Sequence, residues 1–136
     1  MQSASLLSLA TAVPPQVVEQ HEAEAGAREA LGGKKELFVR LSGVFDNAGI
    51  ARRHIVAPQD WYMASHGWHD RNELYLEASR RLFIEAASAA IEQAGLAPDE
   101  IDGVVTVSTT GIATPSLEAR VGPQLGLRDD VRRVPV

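Results

Sequence analysis

The segment DGVVTVSTTGIATPSL, residues 102–117, decides how the rest of the chain is read. Val104, Val105 and Val107 form a short β-branched apolar run, which predicts a strand covered on both faces. Ser108, Thr109 and Thr110 then place three hydroxyls at the carboxyl end of that strand, where open α/β sheets hold their ligands. Gly111 is expected to let the chain turn. Thr114-Pro115 supplies an N-cap and a proline at the first helical position, for a helix running to about Leu125 and ending near Gly126. The local chemistry predicts a ligand-facing strand end and leaves the kind of ligand open.

Upstream of this segment lies the longest predicted helix, capped at Asn72 and running to Ala94. Leu74, Ala78, Leu82, Ala86, Ala89 and Ala90 line one face, and the alanines permit close approach to a neighbour. Gly95, Leu96 and Pro98 form a strong stop signal. The stretch DWYMASHGWHDRN, residues 60–72, has no regular period. It reads as an ordered loop or short helical turns packed by Trp61, Tyr62 and Trp68.

Toward the amino terminus, residues 5–13 (SLLSLATAV) read as a first strand. Pro14-Pro15 breaks it and opens a helix from Gln16 to Leu31, closed by Gly32-Gly33. A second helix follows from about Lys35 to Ala48. Leu37, Phe38, Leu41, Val44 and Phe45 form its amphipathic stripe, with Gly49 after its end. Residues 50–56 are expected to be extended. Downstream, VRRVPV (131–136) reads as a further strand, and a chain that finishes inside such a strand reads as truncated.

Composition narrows the function. Thirteen Lys and Arg against eighteen Asp and Glu leave a net charge of −5, so a nucleic-acid role has no electrostatic support. No cysteine is present, which excludes disulfides, thiolate metal sites and a thiol nucleophile within these residues. The apolar run Leu6–Val13 is short and no Lys or Arg precedes it, unlike a secretory signal. No stretch is long enough to span a membrane, and the chain is expected to be cytoplasmic. His66 and His69, beside Asp70, lack a third ligand and are expected to serve packing or the surface rather than a metal. Asp102 and Glu118 flank the threonine loop, with solvent contact and helix-end charge as their expected roles.

NAGIARRHIV (47–56), DWYMASHGWHDRN (60–72), AIEQAGLAPDEIDGVVTVSTTGIATPSLEAR (90–120) and LGLRDDVRRVPV (125–136) together resemble the amino-terminal half of thiolase-fold condensing enzymes. The resemblance is narrowest to type III polyketide synthases, the chalcone and stilbene synthase-like family, and within it to the bacterial alkylpyrone or alkylresorcinol type. It implies an α/β fold, the amino-terminal half of a thiolase-like αβαβα layered structure with a mixed sheet and flanking helices. It also implies decarboxylative Claisen condensation of an acyl-CoA starter with malonyl-CoA, with coenzyme A thioesters as substrates and no separate cofactor.

In that family the strand matching VRRVPV leads into a Gly-x-Gly-Cys turn whose cysteine is the nucleophile, with histidine and asparagine supplied by the carboxyl-terminal half. This chain alone is therefore expected to be inactive. By the same resemblance, Thr109 and Thr110 line the acyl and cyclisation pocket. The loop from Gly111 to Pro115 lies at a homodimer interface, with Thr114 where plant relatives place a methionine reaching into the neighbouring subunit. Arg40 matches one of the cationic residues that contact coenzyme A; Gly43 and Asn47 occupy the other two aligned positions, and Arg52 or Arg53 is the substitute. The alternatives are a ketoacyl-carrier-protein synthase of the third type and a non-catalytic module that dimerises through the TTGIATP loop and the long helix.

Overall fold

A computed structural model describes residues 3–31 and 35–136. The chain divides into two compact units, one of residues 14–66 and one of residues 67–136 with the amino-terminal arm.

The unit of residues 14–66 begins where a helix was expected. Gln16–Glu19 is instead a strand, β1, and helix α1 follows at Gln20–Ala30. The β-branched pair Val17-Val18 wins because β1 has a partner: it pairs antiparallel with β2 (Arg52–Ile55), Val18 facing Arg53 and Glu19 facing Arg52. Helix α1 starts at Gln20 because the Glu22 carboxylate accepts the Glu19 N–H at 2.9 Å, satisfying a donor the helix leaves free. Gly32-Gly33, the expected end of this helix, lies outside the described residues.

Helix α2 (Lys35–Asn47) matches its expected span, and Gly49 follows it with φ +64°. Its apolar stripe is covered only in part. Phe38 is buried and Phe45 half-buried, while Leu37, Leu41 and Val44 remain exposed. Two arginines lie over the covered rings, Arg28 at 4.8 Å from the Phe38 centroid and Arg53 at 5.6 Å from that of Phe45. The aromatic stretch supplies a short helix, α3 (Gln59–Met63), and Trp61 stacks on His66 at 4.0 Å.

In the other unit, helix α4 (Trp68–Ala94) starts four residues before the predicted cap. Asp70 accepts the Gly67 N–H at 3.2 Å, so Gly67, not Asn72, is the N-cap. Trp68 is 62% exposed and does not serve as the expected packing anchor. The helix stops at Gly95, which adopts φ +69° while Leu96 N–H reaches the Ile91 carbonyl at 3.2 Å. After a single 3-10 turn at Pro98–Glu100, strand β3 (Gly103–Thr106) crosses through helix α5 (Leu117–Leu125) to strand β4 (Arg132–Pro135). β3 and β4 pair in parallel, with Val105 facing Val134.

Helix α5 packs on α4 and on both strands of this β–α–β unit. Its inward residues Leu117, Val121 and Leu125 form the core with Ala78 of α4 and Val131. Val121 has no exposed surface, so Val121→Ala is expected to cost roughly 2 kcal/mol in chemical denaturation. Val105→Ala is expected to stay within about 0.5 kcal/mol, because that side chain is already open.

Two expectations about the sheets are corrected. Instead of one mixed sheet, the described residues form two separate two-stranded sheets, one antiparallel and one parallel. Residues 5–13 make no ladder among the described residues, and Leu6, Leu7 and Leu9 stand exposed, although Ser8 Oγ donates to the Ala90 carbonyl at 2.7 Å. The valine strand is covered on one face only. Val104 and Thr106 are half-buried, while Val105 and Val107 are each 69% exposed. The α/β class itself holds, and among the described residues no helix is long and apolar enough to cross a membrane.

Candidate functional site

The loop from Val107 to Ser116 leaves the carboxyl end of β3 and enters α5 at Ser116, the N-cap. The predicted first helical turn at Thr114-Pro115 is not helical; that peptide bond is cis, and the helix begins at Leu117.

An irregular loop leaves main-chain groups without ladder partners, and they must be met from elsewhere. Here two neighbouring helices meet four of them. Asn72 of α4 forms a two-point contact with Ile112: its Oδ1 accepts the Ile112 N–H at 2.9 Å, and its Nδ2 donates to the Ile112 carbonyl at 3.1 Å. Arg120 of α5 reaches back and donates from Nη2 to the Thr114 carbonyl at 2.7 Å and from Nε to the Pro115 carbonyl at 2.8 Å. At the start of the loop, the Tyr75 and Ser108 hydroxyls share a hydrogen bond of 2.7 Å. The Ser108 N–H also bonds the Val136 carbonyl at 3.1 Å, which extends the β3–β4 pairing to the loop's edge.

Gly111 has a different role from the one expected. Its φ is not positive; Gly49, Gly95 and Gly126 are the described glycines with that conformation. What requires glycine is space. A methyl group at Gly111 would lie 2.5 Å from Cγ and 2.8 Å from Cε1 of Tyr75, and closer still to Cδ1. The Tyr75 ring thus lies directly against the loop backbone.

Thr109, Thr110, Ile112 and Thr114 are exposed. The structure brings Thr109, Thr110, Gly111 and Thr114 together on this one loop. Arg40 is elsewhere, exposed on α2 in the other compact unit. Arg53 bonds Gln20 and covers Phe45, so its guanidinium is committed to the fold around β2; Arg52 is exposed. His66 is likewise engaged, its Nε2 lying 2.9 Å from the Trp61 carbonyl.

Glu118 departs furthest from expectation. The carboxylate expected in solvent is 1% exposed, and neither oxygen has a hydrogen-bond partner among the described residues. The Thr106 hydroxyl on β3 is also buried with no partner among the described residues. Asp102, by contrast, is on the surface and pairs with Arg128 at 2.9 Å.

Sequence reasoning missed the roles of Asn72, Tyr75 and Arg120, and it placed Glu118 in solvent contact. One signal was available for Asn72: Gly67 followed three residues later by Asp70 is already a helix start, which freed the asparagine for another task. Tyr75 meets a partner 33 residues away and leaves no local pattern, whereas Arg120 bonds carbonyls only five and six residues back.

Comparison with known proteins adds the following. Residues 1–136 match the family described as chalcone and stilbene synthases, N-terminal domain. The chain is 34% identical over 135 residues to a 1,3,6,8-tetrahydroxynaphthalene synthase of Streptomyces peucetius subsp. caesius, covering 97% of this chain and 35% of that protein. It is 33% identical over 135 residues to the synthase of the same name from Streptomyces griseus, covering 98% of this chain and 36% of that protein. The crystal structure of the corresponding enzyme from Streptomyces coelicolor A3(2), described as a bacterial type III polyketide synthase, superposes with a TM-score of 0.88 at 28% identity. That match covers 98% of this chain and 38% of the other. The chain thus spans little more than a third of the length of these relatives.

Proposed function

We infer the function from one premise: this chain belongs to the chalcone and stilbene synthase family and forms its N-terminal domain. On that premise, the protein carrying it is a type III polyketide synthase. An acyl group passes from the sulfur of coenzyme A to an enzyme thiolate, releasing the CoA thiol. Malonyl-CoA then loses carbon dioxide, and the resulting enolate carbon attacks the tethered acyl carbonyl, forming a carbon–carbon bond and freeing the thiolate. The nucleophile comes from outside these 136 residues, which contain no cysteine.

The contribution of this segment is substrate-side. Thr109, Thr110 and Thr114 are pocket-wall and interface residues, carried on a loop seated against Tyr75 at Gly111. One observation carries this reading: the loop after β3 has its main chain pinned by Asn72 and Arg120 while its threonines stay exposed. A rigid backbone presenting free polar side chains at a strand's carboxyl end suits recognition. For the coenzyme A thioesters, Arg40 and Arg52 are the exposed cations; Arg53 is committed elsewhere. The reading includes the alkylpyrone or alkylresorcinol subtype and a cytoplasmic homodimer. The family match favours it over the carrier-protein synthase alternative.

The test is to incubate the protein carrying this chain with an acyl-CoA and radiolabelled malonyl-CoA, following CoA release and labelled product. Coupled release of CoA and carbon dioxide with a labelled polyketide is expected. Absence of turnover across acetyl to long-chain starters would overturn the reading. It would also favour the dimerising module, for which the open face of Val105, Val107, Val134 and Val136 is the supporting observation.

A further inference from the structure

We propose that Asn72 and Arg120 are positioning residues: they hold the main chain of the 108–116 loop and through it set how many extensions the enzyme performs. The part concerning extensions rests on the polyketide synthase reading above; the positioning part does not.

Three side chains attach the loop, and they fall on its beginning, middle and end. Ser108 is held by Tyr75, Ile112 by Asn72, and Thr114 and Pro115 by Arg120. The middle attachment copies a ladder pairing, since one side-chain amide meets both the N–H and the carbonyl of a single residue. The end attachment uses the guanidinium fork on two consecutive carbonyls, a geometry in which lysine does not replace arginine. Asn72 and Tyr75 are on α4 and Arg120 on α5, helices packed on each other, so the loop is tied to one rigid body.

None of these contacts uses the side chains of Thr109, Thr110 or Thr114. A shift of the backbone therefore moves all three threonines together without altering their chemistry. A displacement of about 1 Å at such a wall is enough to alter rates by orders of magnitude. This separates Asn72 and Arg120 from the residues they present, because neither needs to touch a substrate.

The experiment compares the protein carrying this chain with its Asn72→Ala, Asn72→Asp and Arg120→Lys variants, by amide hydrogen exchange and by the ratio of products differing in extension number. In Asn72→Ala, exchange at Ile112 is expected to rise about tenfold, the loss of a hydrogen bond, with α4 beyond its first turns unchanged. Asn72→Asp keeps an acceptor for the Ile112 N–H and is expected to recover most of that protection. Arg120→Lys frees the Thr114 and Pro115 carbonyls and is expected to speed exchange of the residue-120 N–H, which bonds the Ser116 carbonyl at 3.1 Å, while leaving Ile112 protected.

For Asn72→Ala and Arg120→Lys the product ratio is expected to shift by about threefold or more, with the starter KM nearly unchanged. Unchanged exchange in both variants would overturn the positioning role. A loosened loop with an unaltered product ratio would overturn its link to extension number. Wild-type protein that forms no condensation product, while Asn72→Ala still loosens Ile112, would overturn the polyketide reading and support the positioning role alone.

Discussion

Gly111→Ala is expected to destabilise the protein by about 3 kcal/mol, combining overpacking with the loss of a hydrogen bond. The added methyl would meet the ring of Tyr75 near its root, at 2.5 Å from Cγ, where rotation of the side chain gives little relief. Either the ring swings away and abandons the 2.7 Å bond to Ser108, or the loop lifts and strains the Asn72–Ile112 contact. Both outcomes act on the loop that carries the threonines, so polyketide formation should fall with stability.

A double-mutant cycle isolates the cause. In a Tyr75→Ala background the same Gly111→Ala change is expected to be nearly neutral, giving a coupling of about 2 kcal/mol or more. An equal cost in both backgrounds would mean that the ring is not what demands glycine. Denaturant midpoints of the four proteins decide between these results.

Glu118→Met is expected to stabilise the protein by about 2 kcal/mol, an unusual sign for a core substitution. The carboxylate is 1% exposed and both oxygens lack partners among the described residues. Removing an unpaired polar group of this kind from a buried position recovers its desolvation cost, and methionine occupies similar volume. The opposing effect is smaller. Glu118 lies in the first turn of α5, where a negative charge gains up to about 1 kcal/mol from the helix dipole. Glu118→Gln removes the charge but retains two polar atoms, so it should fall between wild type and Glu118→Met. A loss of stability in Glu118→Met would show that the carboxylate is satisfied in solution, by bound water or another partner, and that its burial is not a net cost.

Much of the fold was legible wherever the deciding interaction is local. Gly95 and Gly126 end α4 and α5 in the left-handed conformation, and Gly49 follows α2 in the same way. The pattern of α2 located it to within a residue, and the valine run and VRRVPV are β3 and β4. The family was legible too, because four separate stretches carried it. Local reading failed at Gln16–Glu19, where the helix suggested by Pro14-Pro15 gave way to a strand whose partner, β2, begins at Arg52. Proline at the start of a segment permits a helix; it does not oppose a strand that has a ladder waiting.

The site divides along the same line. That residues 108–116 form a polar loop after a strand followed from residue types within a few positions of one another. Why that loop is ordered did not. Asn72 meets Ile112 across 40 residues, Tyr75 meets Ser108 across 33, and the Tyr75 ring rather than a turn demands glycine at 111. Glu118 is buried because α5 turns its first-turn face inward, which its charge alone would argue against. Periodicity and capping express forces acting over about one helical turn. Burial, close approach and main-chain satisfaction depend on which elements meet, and that information appears only when the chain is folded.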